Sequence, residues 1–276
     1  MLTDVTATPN ARSRRIGIFD SGVGGLSVLR ELRREWLDAR LHYMADSGHA
    51  PYGERSDEHV LARSRAVAAH LIDGGAGIVV IACNTATAVA AQSLRAAWPD
   101  TLIVGVEPGI KPALAATRNG KVGVMATRGT LNSMKFKRLL TALAPHEPLH
   151  LRACDGLAAA IEEGSAGADK VRALVEHHCR PLREAGIDTV VLGCTHYAFA
   201  RQHIQAALGP SVHVIDTAAA VARHAASLGR GPRQATGSVA ETGSSLLLQT
   251  TGDAEQLRRV ASAWLGEAVA ASHVTL

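Results

Sequence analysis

Two stretches of this chain occur twice, in the same order and at nearly the same spacing. Arg15-Ile-Gly-Ile-Phe-Asp-Ser-Gly is matched by Lys121-Val-Gly-Val-Met-Ala-Thr-Arg, an offset of 106 (121 − 15). Val79-Val-Ile-Ala-Cys-Asn-Thr is matched by Val190-Val-Leu-Gly-Cys-Thr-His, an offset of 111 (190 − 79). In the second pair an apolar run passes straight into Cys and then into two polar residues. Strand–helix units resemble one another in general, so either match alone would be ordinary. Two matches in one order at nearly the same offset indicate an internal duplication.

The elements around the repeats fix the fold class. Short apolar runs alternate with longer stretches of helical period, the pattern of an α/β chain with largely parallel sheets and flanking helices. Strands are expected near 15–19, 41–45, 77–82, 102–106, 121–126, 147–152, 188–193, 211–215 and 245–250. Helices are expected to begin near 24, 57, 85, 109, 130, 155, 168, 198 and 217, with a last one from Asp253 to Leu265 carrying Leu257, Val260, Ala261 and Trp264 at helical spacing. Ligands of open α/β sheets bind beyond the carboxyl ends of the strands. Two related lobes facing across a pseudo-two-fold would therefore bring Cys83 and Cys194 to one ligand from opposite sides.

Composition removes several other classes. With 47% hydrophobic residues the chain is neither disordered nor fibrous. Lys and Arg number 29 against 25 acids, and aromatics make up 3%, too weak a basic stripe and too few stacking rings for a nucleic-acid surface. The longest apolar runs, such as Ile78 to Cys83, are strand-length, so no membrane span is expected. Residues 1–10 include an acid and no apolar core, so no signal peptide is expected. The 4 cysteines lack disulfide or metal spacing and should be reduced thiols in the cytoplasm. Without a Cys-x-x-Cys pair no metal site is expected. None of the 5 lysines has a Schiff-base setting, so no pyridoxal phosphate is expected either.

A lone cysteine at the end of a buried strand is usually a small apolar filler. Cys83 and Cys194 differ by occupying the repeat-equivalent position and opening onto polar pairs, Asn84-Thr85 and Thr195-His196. A helix after each would lower its thiol pKa. Cys154 and Cys179 have no matched partner and read as structural. Asp20-Ser-Gly-Val-Gly-Gly follows the first strand, and its glycines allow a tight turn whose N–H groups suit a carboxylate or phosphate. Ser27 stands where a dinucleotide fingerprint needs glycine. Asp20 or Ser21 could equally cap the helix. Asp46 and Ala50-Pro-Tyr-Gly-Glu-Arg-Ser form a loop leading to a helix start at Ser56; it reads as surface turn chemistry or as part of the site, with Tyr52 its most distinctive residue. Glu162-Glu163, before Gly164, read as a solvated helix face.

Taken together, these residues closely resemble the cofactor-independent aspartate/glutamate racemases, glutamate racemases in particular. The carrying motifs are Gly17-Ile-Phe-Asp-Ser-Gly-Val-Gly-Gly-Leu-Ser, Pro51-Tyr-Gly-Glu, Ala82-Cys-Asn-Thr-Ala, Val106-Glu-Pro-Gly, Leu192-Gly-Cys-Thr-His-Tyr and Thr250-Thr-Gly-Asp, spread over about residues 14 to 266. The resemblance implies two pseudo-symmetric α/β lobes with the active site in the cleft between them. The first spans 1–106 plus 218–276, with the C-terminal segment crossing back, and the second spans 107–217. It further implies Cys83 and Cys194 as the two catalytic thiols, Glu162 as an auxiliary acid, and Asp20, Ser21, Pro51, Tyr52, Gly53, Asn84, Thr85, Thr195 and His196 as substrate-binding positions. Cys154-Asp155 stands where the family usually has Cys-Pro, and Ala198 where a proline often follows. No cofactor is implied. The implied partner is glutamate, with no nucleic acid or membrane, and a homodimer is a possible assembly.

Racemisation removes the Cα proton from one face and returns a proton to the other, which two opposed thiols can do if one is thiolate while the other stays protonated. Like charges in one dry cleft repel, which favours the singly ionised pair. On the family's pattern Cys83 acts on the D-enantiomer and Cys194 on the L-enantiomer, with Asp20 and His196 managing protons around them. Asn84, Thr85, Thr195 and backbone N–H groups are the expected donors to the developing negative charge. Three other readings remain open: racemisation of another amino acid such as aspartate, a cysteine hydrolase using Cys194 and His196, and a binding module without chemistry.

Overall fold

The structure, a computed structural model, describes residues 15–145, 148–229 and 245–276, apart from the side chain of residue 166. Among the described residues, every strand pairing is parallel. One sheet contains β1 (Arg15–Asp20), β2 (Arg40–Ala45), β3 (Ile78–Ile81), β4 (Leu102–Gly105), β9 (Leu246–Thr250) and β10 (Ser272–His273), in the order β10-β9-β2-β1-β3-β4. The other contains β5 (Val122–Ala126), β6 (His150–Ala153), β7 (Thr189–Gly193) and β8 (His213–Ile215), in the order β6-β5-β7-β8.

The duplication is visible in topology and in register. β2-β1-β3-β4 and β6-β5-β7-β8 have the same order. In one sheet Ile16 pairs with Ile78 and Phe19 with Ile81; in the other Val122 pairs with Thr189 and Met125 with Leu192. These are the same pairs once 106 is added to the first member and 111 to the second. β9 and β10 are additions to the first sheet, with β9 joining the edge of β2.

The central strands β3, β5 and β7 are buried along their whole length, as expected of runs such as Ile-Val-Val-Ile covered on both faces. Helices α1 (Leu26–Glu35), α10 (Ala218–Gly229) and α11 (Ala254–Leu265) cover one face of the first sheet. Helices α2 (Asp57–Asp73) and α3 (Asn84–Ala97) cover the other. Ser56 caps α2 as expected, its Oγ accepting from the His59 N–H. In the second lobe α4 (Ile110–Ala116), α5 (Arg128–Asn132) and α6 (Met134–Leu143) lie on one side, and α7 (Leu157–Glu162), α8 (Ala168–Glu184) and α9 (Arg201–Leu208) on the other. Phe199 stacks on Trp264 of α11 at 4.1 Å between ring centroids, so the two lobes also share an aromatic contact. No helix among the described residues is long and apolar enough to cross a membrane.

Three local expectations are corrected. The helix expected near 198 is a single 3₁₀ turn, Thr195–Ala198, and α9 begins only at Arg201. The helix expected near 130 is two, because Ser133 ends α5 and caps α6 through the Phe136 N–H. β10 was not expected, since two exposed residues carry no apolar alternation.

Candidate active site

Strand ends of the two sheets meet. Asp20 ends β1, Cys83 follows β3, Thr127 follows β5 and Cys194 follows β7, and hydrogen bonds between these segments cross from one lobe to the other. Thr195 Oγ1 donates to Asp20 Oδ2 at 2.7 Å. Thr85 Oγ1 lies 3.0 Å from Thr127 Oγ1 and 3.3 Å from Thr130 Oγ1. Glu162 Oε2 accepts from the Val23 N–H at 2.9 Å. Asp20, Ser21, Tyr52, Gly53, Cys83, Asn84, Thr85, Cys194, Thr195 and His196 are all buried, and Pro51 is half-buried. The sequence-derived residues thus come together at one inter-lobe cleft.

The two thiols sit in different surroundings. Cys83 is the N-cap of α3: its Sγ accepts from the Ala86 N–H at 3.4 Å and lies 3.9 Å from Ser21 Oγ. Burial, then the Asp20 carboxylate, push the Cys83 thiol up to about 12, overriding the helix N–H. The expectation of a helix-lowered thiol therefore fails at Cys83. It also lacks its premise at Cys194, which precedes only a 3₁₀ turn. Cys194 Sγ instead lies 3.9 Å from His196 Nδ1. The thiols are near enough for Cys194 to raise Cys83 electrostatically.

His196 lies between two acids. Its Nε2 is 2.8 Å from Glu162 Oε2, and its Nδ1 is 3.9 Å from Asp20 Oδ1. Burial disfavours the imidazolium, but hydrogen bonds to Cys194 and Glu162 and the two carboxylate charges outweigh it. His196 is held well above the ordinary imidazole range. Burial raises Asp20, with His196, Thr195 and the Gly22 N–H partly compensating. Glu162 is lowered: burial opposes its charge, but His196, Ser47 and the Val23 N–H prevail.

Several readings change in detail. Glu162 and Glu163 are not one solvated face: Glu163 is exposed and pairs with Lys170, whereas the Glu162 side chain is 14% exposed and turned into the cleft. Neither Asp20 nor Ser21 caps α1, whose N-cap is Gly25 without a side-chain bond. Gly22 and Gly24 provide close approach. A Cβ on Gly22 would overlap the Glu162 carboxylate, and one on Gly24 would overlap His196 Nδ1. The N–H groups of this loop do hold carboxylates, and they are the protein's own: the Gly22 N–H donates to Asp20 Oδ1 and the Val23 N–H to Glu162 Oε2. Asp46 is fully buried, bonding Tyr52 Oη–H at 2.5 Å, Thr251 at 2.8 Å and Arg63 at 2.9 and 3.0 Å, so the Pro51-Tyr52-Gly53 loop is anchored rather than free. Cys154 and Cys179 lie in the second lobe's core.

Repeat arithmetic explains one unpaired donor. Asn84 is the counterpart of Thr195 (84 + 111) and Asp20 of Ala126 (20 + 106). Thr195 finds Asp20 across the cleft, whereas the position answering to Asp20 in the other half, Ala126, carries no acceptor side chain. Asn84 Nδ2 is buried without a hydrogen-bond partner among the described residues. Thr127 and Thr130 were missed from the sequence, although Thr127 is the counterpart of Ser21 (21 + 106) and that signal was present in the repeat. Among the described residues no group of three His, Cys, Asp or Glu side chains is arranged to hold a metal ion.

Fold and cleft together define a duplicated α/β architecture that brings one strand-end thiol from each lobe to a shared polar site. The Asp/Glu/Hydantoin racemase family profile matches residues 22–225. A glutamate racemase of Ectopseudomonas mendocina is 49% identical over 214 residues, 78% of this chain and 81% of that protein. Among solved structures, a glutamate racemase isoform of Bacillus anthracis superposes with a TM-score of 0.82 at 32% identity, covering 95% of this chain and 97% of that one. An Escherichia coli glutamate racemase in complex with L-glutamate and the activator UDP-MurNAc-Ala gives 0.82 at 30% identity, with 94% and 97% covered. The chain belongs to the Asp/Glu/hydantoin racemase family.

Proposed function

We infer that this chain is an isomerase that interconverts L- and D-glutamate without a cofactor, by proton transfer at Cα between two thiols. The observation that carries this reading is the pair Cys83 and Cys194 at repeat-equivalent strand ends beside one cleft. In the L-to-D direction Cys194, as thiolate stabilised by His196, takes the Cα proton. Cys83, whose thiol is held up to about 12 by burial and Asp20, delivers its own proton to the opposite face. The protein ends that turnover with its two thiol protonation states exchanged, which is the arrangement the D-to-L direction uses. Asp20 and Glu162 support His196. Asn84 Nδ2, Thr85 and Thr195 receive the substrate's carboxylate charge as the carbanion forms, and one such donor is worth about 3–4 kcal/mol. Ser21, Pro51, Tyr52 and Gly53 complete the substrate pocket.

The same reading has the enzyme acting in the cytoplasm, in keeping with four free cysteines, and supplying D-glutamate for the wall peptide. It takes the lobes as 1–106 plus 218–276 and 107–217, and two copies as the assembly, which sedimentation would check. The decisive experiment follows L-glutamate and L-aspartate by polarimetry with the purified enzyme and its Cys83→Ala and Cys194→Ala variants. Loss of glutamate rotation with the parent alone supports the reading. Racemisation by either folded variant rejects the two-thiol scheme, and aspartate turnover changes the substrate. Glutamate binding without turnover by the parent would identify a binding module, and a trapped acyl-enzyme would identify a hydrolase.

A further inference from the structure

Glu162 belongs to α7 of the second lobe, yet its carboxylate is held by the first. Oε1 accepts from Ser47 Oγ at 2.5 Å, and Oε2 accepts from the Val23 N–H at 2.9 Å while facing His196 Nε2 at 2.8 Å. Gln256 of α11 donates to the Glu162 carbonyl, and Gly22 leaves the space that the carboxylate fills. Each oxygen thus has its own first-lobe donor, and only Oε2 also faces the imidazole. Ser47 lies on the 3₁₀ turn Ser47–His49, immediately after buried Asp46, so its backbone is fixed independently of Glu162. A carboxylate with one oxygen anchored in this way has its rotamer fixed against His196.

We propose that Ser47 is a positioning residue of the racemisation, a first-lobe hydroxyl that fixes Glu162 against His196 and so couples lobe closure to the proton state beside Cys194. With the lobes apart, Glu162 loses Ser47 and the Val23 N–H together, and His196 loses the orientation of its partner. With the lobes closed, three polar contacts converge on one carboxylate. The groups facing this centre are Cys194, Glu162 and Asp20 around His196, and Asp20, Tyr43 and His196 around Glu162. Beside these, Ser47 and the Val23 N–H donate to Glu162 without themselves titrating. The sign of the effect follows. Removing the Ser47 hydroxyl frees Glu162 Oε1, so the carboxylate can turn its Oε2 away from His196 Nε2 and the imidazolium loses part of its partner.

The inference rests on the two-thiol reading, and the test separates the two. In Ser47→Ala, the His196 imidazole titration, followed by NMR and assigned with His196→Gln, should move about one pH unit downward. That is the tenfold carried by one hydrogen bond to a charged group. The L-to-D kcat should fall about tenfold, with KM nearly unchanged and the alkaline limb of the kcat–pH profile shifted to lower pH. Ser47→Thr, which keeps the hydroxyl, should restore both. A His196 titration unmoved by Ser47→Ala overturns the proposal whatever happens to turnover, because it is read without turnover. An effect confined to KM or Tm also overturns it, since that would assign Ser47 to supporting the Tyr52 loop. Failure of the racemase reading shows elsewhere, as activity surviving loss of a thiol.

Discussion

Asn84→Ala should separate what the fold needs from what the reaction needs. Asn84 is 6% exposed at the first turn of α3, and its Nδ2 has no partner, while its repeat counterpart Thr195 donates to Asp20 at 2.7 Å. A buried unpaired donor costs about 1–3 kcal/mol, and alanine removes it while favouring the helix. Truncation also removes the packing of a small amide, so the net change should lie between neutral and about 2 kcal/mol more stable. At about 2–4 °C per kcal/mol for a chain near this size, Tm should hold or rise by a few degrees. The same substitution removes a preorganised donor to the developing carboxylate charge, and kcat/KM should fall by about 10²–10³. Calorimetry and polarimetry on one preparation read both quantities. A Tm lower by several degrees with turnover preserved would mean that the protein itself uses the amide, and the assignment of Asn84 to the substrate would be wrong.

Three further outcomes follow from the same geometry. Gly24→Ala places a methyl on His196 Nδ1 and 2.7 Å from the His196 backbone nitrogen; it should destabilise by about 1–3 kcal/mol and lower kcat, as unfolding and turnover would show. Asp46→Asn leaves Arg63 facing a neutral partner at a fully buried site and should cost about 3 kcal/mol, with KM rising as the Tyr52 anchor loosens. Burial opposes the Asp46 charge, but Arg63, Tyr52 and Thr251 lower its pKa overall, so its stabilisation is present above the unfolded carboxylate value near ~3.9 and is lost as pH falls through the folded value. His196 has the opposite sign: raised when folded, it stabilises fully below about 6.5, and that contribution is lost as pH rises through its folded value. Urea midpoints against pH should therefore decline on the alkaline side in the parent and less steeply in His196→Gln.

Much of the fold was legible because the central strands are short, almost wholly apolar runs and the two halves share their spacing. What was not legible depended on contacts made across the cleft. Glu162 and Glu163 are chemically alike and adjacent, but successive helical residues do not share a face. Only the packing of α7 decides that one meets His196 and the other Lys170. The helix expected after Cys194 required knowing where Thr195-His196-Tyr197-Ala198 would pack; buried between the lobes, it forms one 3₁₀ turn before α9. The glycines after β1 read as a turn, whereas what they supply is room for the opposite lobe. Their spacing alone could not show which side chains would fill that room.

The two halves are alike where the chemistry is symmetric and unlike where it is not. On the two-thiol reading, thiols occupy equivalent positions because the substrate and product of a racemisation are mirror images, each presenting its Cα–H to one strand end. The surroundings differ at Asp20 against Ala126 and His196 against Thr85, so the imidazole stands beside Cys194, while the Asp20 charge also raises Cys83. Mirror-image species have equal free energies, so this asymmetry cannot alter the equilibrium or make kcat/KM differ between directions. It can set which thiol holds the proton between turnovers, and with it kcat and KM in each direction so long as their ratio stays equal. Early turnover in D₂O reports that directly. Thiols exchange with solvent, so if Cys194 removes the Cα proton and Cys83 returns another, D-glutamate formed from L-glutamate should carry deuterium from the first turnover while the remaining L-glutamate stays protiated. Protium passing from substrate into product would reveal one base serving both faces. Deuterium accumulating in the unconverted L-glutamate would show that Cys194 returns solvent protons faster than Cys83 delivers its own. The first result would undo the division of labour assigned to the two thiols; the second would keep it and make delivery by Cys83 the slower step.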